Sequence, residues 1–289
     1  MDHPEEHVLK TKKDFDDFFY KSPYFAFLDV LGYSNLVRKN THDALVKLYQ
    51  DLFTAQMNQV ERNLQDLIAT RAEKLGERYT DPGIRIVNFS DSIMLWTAHG
   101  QPSALREIIL AVSSLLSLSM SQGLPLRGAI TRQSFSVLER NNLLSVVGMG
   151  LVDAYGMEKT QQWSGCIVAP EIVNYFESME KVLGRRTPSP IRQSELVMEY
   201  DIPFVDKNGK PYRKRGHAID WSNPLFSDDI IRSSFDLHGK KDERPDSDTP
   251  QKVQNTVDFH HFCLEKKATP KAATEALIKS LDQQSPARE

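Results

Sequence analysis

Apolar residues form two different patterns in the first part of the chain. Residues 24–28 form an uninterrupted apolar run that ends at Asp29, a pattern typical of a buried strand. From residue 43 to about residue 68, leucines, isoleucine and valine recur at helical spacing with charged residues between them, which predicts one long amphipathic helix. After an N-terminal segment of residues 1–21, the chain is therefore expected to begin with a strand followed by a helix.

Turn residues divide the next part of the chain into shorter elements. Residues 84–89 alternate between apolar and polar, and residues 93–96 are apolar, so the acidic turn of residues 90–92 predicts a β-hairpin. The apolar stretch that follows predicts a helix with Ser103 as its N-cap and an end near Gly123. Further predicted elements are strands over residues 124–130 and 135–147 and a helix over residues 152–163.

The C-terminal part of the chain predicts an appended hairpin and helices. Residues 196–205 and 212–221 flank Asn208-Gly209, a strong hairpin signal. Residues 239–251 are charged and contain two prolines, which indicates an exposed loop. Helices are predicted over residues 253–265 and 270–281. The alternation of strands and helices predicts an α+β fold in which helices cover one face of a sheet.

Composition narrows the class of protein. The 289 residues suffice for a sizeable core, and only two cysteines are present, which fits a reducing compartment and excludes a cysteine scaffold. The N-terminus has no apolar core of a signal peptide, and the densest apolar stretch, residues 109–120, carries serines and indicates a core helix. A net charge of −3 gives no pull toward nucleic acid or anionic membrane. We expect a cytoplasmic protein with small-molecule or protein partners.

Two acidic residues lie at positions where removing a carboxylate from water would cost free energy. Asp29 ends a buried strand and Asp91 lies in the turn of the predicted hairpin, and a desolvated carboxylate needs a cation or hydrogen-bond donors. If the two strands share one sheet, both side chains can converge on divalent cations, which prefer oxygen ligands. The alternative is that each aspartate caps a turn or a helix.

Four segments together resemble class III nucleotidyl cyclases. Residues 27–33 (FLDVLGY) are similar to the first metal-binding motif of that family, and residues 88–92 (NFSDS) to the second. Residues 127–130 (RGAI) resemble its Arg-x-Gly-Ile strand, and residues 148–158 (GMGLVDAYGME) its later glycine-to-helix segment. The segments FLDVLGY, FSDSI, LRGAI and AY-x-x-E are most similar to those of the bacterial pyrimidine cyclases of antiphage defence.

The resemblance implies a fold, an activity and a site. It implies a ferredoxin-like, mainly antiparallel sheet in a catalytic domain of residues 22–170, with residues 171–289 as an extension. It implies two divalent metal ions, Mn²⁺ or Mg²⁺, bound by Asp29, Asp91 and the backbone carbonyl of Val30. The implied enzyme is a homodimer that converts UTP, or next CTP, into a 3′,5′-cyclic nucleotide and pyrophosphate. The product would activate a separate effector protein in antiviral defence.

Several positions depart from the adenylyl cyclase pattern. Val87 and Ser145 occupy the substrate-binding positions of the lysine and acidic residue that read adenine, so an adenine reader is missing. Val152 and Gly156 occupy the positions of the transition-state Asn and Arg. Arg127 is therefore the first candidate for a catalytic, phosphate-binding cation. Its alternative role is an ion pair with a surface carboxylate.

Other residue clusters in the sequence allow alternative functions. His260, His261 and Cys263 contain zinc-capable atoms but have no second cluster, and adjacent histidines on a helix point in different directions. The basic residues of the hairpin could bind phosphate or could protect a sheet edge from aggregation; they are Lys210, Arg213, Lys214 and Arg215. A degenerate cyclase domain that senses nucleotide is one alternative function. A phosphohydrolase with Asp29 as nucleophile is another, but Leu31 stands where its second aspartate is expected.

Overall fold

The protein forms strands and helices in alternation along most of its length. The computed structural model describes residues 22–51, 57–75, 83–140, 143–183, 190–236 and 249–284. The predicted N-terminal segment of residues 1–21 and most of the predicted loop of residues 239–251 lie outside these ranges. The elements in chain order are β1 (Phe25–Val30), α1 (Tyr33–Lys39), α2 (His42–Tyr49), α3 (Met57–Leu75), β2 (Arg85–Phe89), β3 (Ser92–Trp96), α4 (Pro102–Ser121), β4 (Leu126–Thr131), β5 (Phe135–Arg140), β6 (Leu143–Gly148), α5 (Met149–Thr160), β7 (Gly165–Val168), α6 (Pro170–Leu183), α7 (Pro190–Gln193), β8 (Val197–Val205), β9 (Pro211–Ile219), α8 (Asp228–Asp236) and α9 (Thr249–Gln284).

A seven-stranded sheet organises the fold. Its strand order is β2-β3-β1-β4-β7-β9-β8, and β5 and β6 pair in a separate two-stranded sheet. Only the β4–β7 pair is parallel among the described pairings of the large sheet. The predicted α+β fold with a mainly antiparallel sheet is confirmed. Because β1 lies between β3 and β4, Asp29 projects from an interior strand of the sheet.

Strand β1 is buried on both of its faces. Five of its six residues are buried, and only Asp29 is partly exposed. Phe27 packs edge-on against Tyr155 of α5, and Phe25 packs against Phe135 of β5. Helix α5 and the β5–β6 hairpin therefore lie on the face of the sheet that carries Asp29, next to the candidate carboxylate.

Gly128 allows β4 to approach β1 closely. A Cβ atom at this position would lie 2.1 Å from the carbonyl oxygen of Phe27 and 2.6 Å from a methyl group of Leu28. No other residue type fits such a contact between two backbones. The glycine of the RGAI segment thus holds the strand of Arg127 directly beside the strand of Asp29.

Helix α4 is the main helix of the core. Twelve of its residues are buried, among them Leu105, Ile108 and Val112. Its length and mean hydropathy alone would also suit a membrane span, but 67% of the apolar window is buried within the protein, as expected for a core helix. The predicted N-cap Ser103 is wrong: Gln101 is the N-cap, because Pro102 already takes the first helical position, where its missing N–H costs nothing.

The other predicted helices differ from the observed ones in their boundaries. The predicted helix over residues 43–68 corresponds to α2 and α3, the latter of which continues to Leu75, and residues 52–56 between them lie outside the described ranges. Helix α5 begins at Met149, directly after Gly148, whose φ of 136° suits a glycine. The two predicted C-terminal helices form one helix, α9, since residues 266–268 are good helix formers and do not interrupt it.

The C-terminal hairpin extends the large sheet, as predicted. Strands β8 and β9 flank a turn in which Gly209 has a φ of 78° and Asp206 accepts hydrogen bonds from the backbone of Asn208 and Lys210, both at 2.8 Å. Strand β9 pairs with β7. The sheet is therefore continuous across residue 170, and the proposed division into a catalytic domain and an extension stays a prediction.

Candidate active site

The structure brings the two predicted aspartates together. The backbone N–H of Val30 donates to the carbonyl oxygen of Asp91 at 3.0 Å, and Asp29 is the register partner of Ser92. The Ser92 hydroxyl also donates to a carboxylate oxygen of Asp29 at 3.2 Å. The end of β1 and the β2–β3 turn therefore meet at one edge of the sheet, as the sequence pattern predicted.

A strained turn carries Asp91. Phe89 pairs with Ser92, so Ser90 and Asp91 form a two-residue hairpin turn. Ser90 adopts a φ of 58°, and no other non-glycine residue among the described ranges has a positive φ. Left-handed backbone at a residue with a Cβ costs free energy and often accompanies functional sites. The turn thus holds the Asp91 backbone against β1.

Asp29 lies in a strongly acidic environment. Burial raises the pKa of its carboxyl group to about 7, and the nearby charges of Glu158 and then Asp91 contribute to the rise. The hydrogen bond from Ser92 and the charge of Arg127 act in the opposite direction. Three carboxyl groups near one another produce a negative potential that a bound cation would relieve.

Glu158 is a site residue to which the sequence analysis assigned no role. It lies on α5, is 1% exposed, and accepts a hydrogen bond from Nε of Arg127 at 2.6 Å as part of a two-point ion pair. Burial raises the pKa of Glu158 although Arg127 acts to lower it. In the sequence, Glu158 is marked only as the final residue of the AY-x-x-E segment. Its role was not predicted because its partner, Arg127, lies on a different element.

Arg127 is bound to groups of its own chain. Besides the ion pair with Glu158, its Nη1 atom donates to the carbonyl oxygen of Gln161 at 2.7 Å, and the side chain is 12% exposed. This geometry agrees with the alternative of an ion-paired arginine, although the partner is buried rather than at the surface. The catalytic, phosphate-binding role of Arg127 stays a prediction.

The donor atoms at this edge fit hard divalent cations. Asp29 and Asp91 supply carboxylate oxygens, and the carbonyl oxygen of Val30, the next residue along the chain from Asp29, stays a predicted ligand. In the part of the chain that the structure describes, no group of three or more His, Cys, Asp or Glu side chains is arranged to hold an ion. Ions bound here would complete their coordination with substrate oxygens and water, as Mg²⁺ commonly does.

Val87 and Ser145 lie in different sheets. Val87 pairs with Met94, which pairs with Phe27, so Val87 shares the face of the sheet that carries Asp29. Ser145 lies on β6 of the two-stranded sheet and is exposed. Val87 thus lies in the large sheet on the face that carries Asp29, whereas Ser145 lies on the separate hairpin that packs over that face, and a base-binding role for either residue stays a prediction.

An exposed apolar surface adjoins the carboxylates. Phe89 precedes the turn of Asp91 and is 74% exposed. Helix α5 and the β5–β6 hairpin contribute further large exposed apolar side chains, namely Leu138, Val147, Met149, Val152 and Tyr155. Several large apolar side chains left in water are a common feature of surfaces that contact another protein or a ligand.

The weaker candidates are held in separate structural contacts. His260 bonds to the carbonyl oxygen of Asn223, His261 pairs with Asp228, and Cys263 is buried, which raises the pKa of its thiol. In the hairpin, Arg213 donates to Asn255 and to the Asp201 backbone, and Arg215 pairs with Glu199 and Asp201. These contacts favour the structural alternatives.

Comparisons with known proteins find likeness only among solved structures. No protein-family model matches the chain, and no curated protein matches its sequence. The guanylyl cyclase Cya2 is similar at 12% identity and a TM-score of 0.40, over 71% of this chain and 94% of that one. The guanylyl cyclase domain of the RhoGC fusion protein from the aquatic fungus Blastocladiella emersonii is similar at 16% identity and a TM-score of 0.36, over 69% and 96%. An adenylate cyclase from Trypanosoma brucei is similar at 12% identity and a TM-score of 0.34, over 69% and 89%. Likenesses this distant carry no functional argument.

Proposed function

We propose that this protein is a metal-dependent nucleotidyl cyclase, a phosphorus–oxygen lyase that converts a nucleoside triphosphate into a 3′,5′-cyclic nucleotide and pyrophosphate. The observation that carries the proposal is the meeting of Asp29 and Asp91 at one sheet edge, joined by the Val30–Asp91 backbone bond. The segments FLDVLGY and FSDSI, from which the resemblance to class III cyclases was inferred, are the two segments that meet there.

The reaction requires no protein nucleophile. The 3′-oxygen of the ribose forms a bond to the α-phosphorus, the bond from that phosphorus to the pyrophosphate oxygen breaks, and the hydroxyl proton passes to water. Two divalent ions, Mn²⁺ or Mg²⁺, supply a lowered proton affinity at the 3′-hydroxyl and offset charge on pyrophosphate. Since both reacting groups belong to one substrate, positioning and electrostatics account for most of the rate.

Each residue of the site has a separate task in this proposal. Asp29 and Asp91 hold the ions, with the carbonyl of Val30 as a further ligand. Ser92 orients the Asp29 carboxylate through its hydrogen bond. The Arg127–Glu158 pair fixes α5 against the sheet beside the carboxylates.

A pyrimidine triphosphate is the proposed substrate, with UTP favoured over CTP. The support is the resemblance in wording to the pyrimidine cyclases of antiphage defence and the absence of a charged adenine reader at Val87 and Ser145. The proposal includes a cytoplasmic location and a cyclic product that activates a separate effector protein in antiviral defence. These two parts depend on the same resemblance and on a composition with few cysteines.

A homodimer is the proposed assembly. Exposed apolar side chains occur on α5, on the β5–β6 hairpin and at Phe89, and a second copy of the chain would remove them from water. A dimer formed through this surface would enclose the substrate between two copies, which excludes water from the reacting phosphate.

The decisive experiment measures products from each of four nucleoside triphosphates. Purified protein is incubated with MnCl₂ or MgCl₂ and ATP, GTP, CTP or UTP, and the products are identified by mass spectrometry. We expect cyclic UMP, then cyclic CMP, and loss of product in Asp91→Ala. Asp228→Ala is a matched control, because Asp228 pairs with His261 at the surface. The proposal fails if no triphosphate gives a cyclic product, or if Asp91→Ala retains full activity.

A degenerate cyclase domain that senses nucleotide is the second candidate. The observation in its favour is that Arg127 is occupied by Glu158 and Gln161, while Val152 and Gly156 carry no charge. It predicts metal-dependent binding of triphosphate without release of pyrophosphate. A pyrophosphate assay at saturating substrate separates the two functions.

A further inference from the structure

The proposed reaction needs a positively charged side chain near the carboxylates that is not already bound to groups of the protein. Negative charge develops on the departing pyrophosphate, and a positioned Lys or Arg commonly stabilises it. Arg127 is directed to Glu158 and Gln161 of its own chain. A further cation near the carboxylate edge is therefore expected on another element.

Helix α5 presents one exposed stripe. Val152, Tyr155, Gly156 and Lys159 are spaced by three or four residues and are all exposed, which places them on one side of the helix. Ala154 and Glu158 are buried on the other side. The stripe is otherwise uncharged, so the ammonium group of Lys159 is its single cation.

Aromatic contacts connect Lys159 to the strand of Asp29. Its Nζ atom lies 4.0 Å from the centroid of the Tyr155 ring. The Tyr155 ring packs edge-on against Phe27, with centroids 5.7 Å apart and an interplanar angle of 88°. Phe27 lies two residues before Asp29 on the same face of β1. The ammonium charge also acts on the buried carboxyl of Glu158, whose charge in turn acts on Asp29.

The helix surface beside this cation is uncovered. A Cβ atom built at Gly156 would meet no atom within 4 Å, so no other part of the described chain blocks access to the stripe one turn before Lys159. An ammonium group held over an aromatic ring keeps its remaining N–H donors free to reach an anion, and a long flexible stem gives it range.

We propose that Lys159 contacts the polyphosphate of the substrate and stabilises the charge that develops on the departing pyrophosphate. The inference rests on the proposed cyclase function. During the reaction the electron pair of the broken P–O bond passes to pyrophosphate, and Lys159 stays protonated, so it acts as an electrostatic group and not as an acid.

The test compares Lys159→Ala, Lys159→Arg and Lys266→Ala by steady-state kinetics. Lys266 is the matched control, because it lies 5.5 Å from the ring of Phe262 on α9 in the same kind of contact. We expect Lys159→Ala to lower kcat by about 100-fold, with a smaller change in KM and an unchanged melting temperature. Lys159→Arg should recover most of the lost rate, and Lys266→Ala should behave as wild type. A kcat for Lys159→Ala within about two-fold of wild type, or one lost equally in Lys266→Ala, overturns the proposal.

A binding measurement separates failure of this inference from failure of the proposed function. If the wild-type chain forms no cyclic product, calorimetric titration with UTP and MnCl₂ takes the place of kinetics. Weaker binding to Lys159→Ala by about ten-fold, with Lys266→Ala unaffected, supports the polyphosphate contact. Equal affinities for the three proteins overturn it.

Discussion

Removing the Arg127 side chain should lower the free energy of unfolding of the protein, independently of any contact between Arg127 and a substrate. The Arg127 side chain is 12% exposed and that of Glu158 is 2% exposed, so neither charge is well hydrated. Deleting one partner of a buried pair typically costs about 3–5 kcal/mol, because the remaining charge is left uncompensated. Burial already raises the pKa of Glu158, so proton uptake should moderate this cost in Arg127→Ala at lower pH.

The assay is urea unfolding of four proteins followed by circular dichroism. The proteins are wild type, Arg127→Met, Glu158→Leu and the double variant. We expect each single variant to lose about 3 kcal/mol and the double variant to lose clearly less than the sum, with a coupling energy of about 1–3 kcal/mol. The loss in Arg127→Met should be larger at pH 8 than at pH 6, since the Glu158 carboxylate is harder to neutralise at the higher pH.

One pattern of results would refute this reasoning. If Arg127→Met unfolds at the same urea concentration as wild type, yet lacks the proposed cyclase activity that wild type shows, the guanidinium acts on substrate and the ion pair is dispensable for stability. Additivity of the two single variants would likewise show that Arg127 and Glu158 do not stabilise each other in solution.

Four further predictions concern the two carboxylates and the elements around them. Burial, Glu158 and Asp91 raise the pKa of Asp29 to about 7, above its ordinary value of 3.8. The metal-free protein should therefore lose stability as the pH rises from about 4 to 7, because the folded state loses a proton that it binds more tightly than the unfolded state. Asp29→Asn should remove that loss, and thermal melts across this pH range test both expectations. MnCl₂ should restore stability at pH 8 more than at pH 6, and equal stabilisation at both would contradict the assignment of Asp29 as a ligand. Gly128→Ala should prevent folding at 37 °C, as judged by soluble expression, because its methyl group would overlap the Phe27 carbonyl; Gly156→Ala, in open space, is the control. Val152→Glu should convert a dimer into a monomer in analytical ultracentrifugation and abolish cyclase activity, whereas an unchanged sedimentation coefficient would exclude helix α5 from the interface.

The positions of the two carboxylates at strand and hairpin ends could be predicted from the sequence because the signal is local, whereas their metal-binding role stays a prediction. Asp29 follows an apolar run and Asp91 lies in an acidic turn between two apolar segments, so each position could be read from its neighbours. Their meeting then needed only that β1 and β3 pair, which the structure shows. The same local character explains the correct hairpin at Asn208-Gly209.

The role of Glu158 could not be predicted because it depends on packing between distant elements. Its partner Arg127 lies on β4, and the pair forms only because α5 crosses the face of β1 and β4. The start of α5 was predicted at residue 152, three residues too late, for a related reason: Gly148 and Gly150 fit against β5 and the residues before it, a tertiary contact that permits the helix to begin at Met149. Propensity alone does not report such contacts.

The central position of β4 has a consequence for how the chain can be divided. Arg127 of β4 is the register partner of Asp29 on one side and of Gly165 in β7 on the other. A fragment ending at residue 170 would lose β9 from the far side of β7, and the buried strand Gly165–Val168 would become an unprotected edge. Open apolar edges recruit other chains, so such a fragment should aggregate, and the proposed activity is best measured on the whole 289-residue chain.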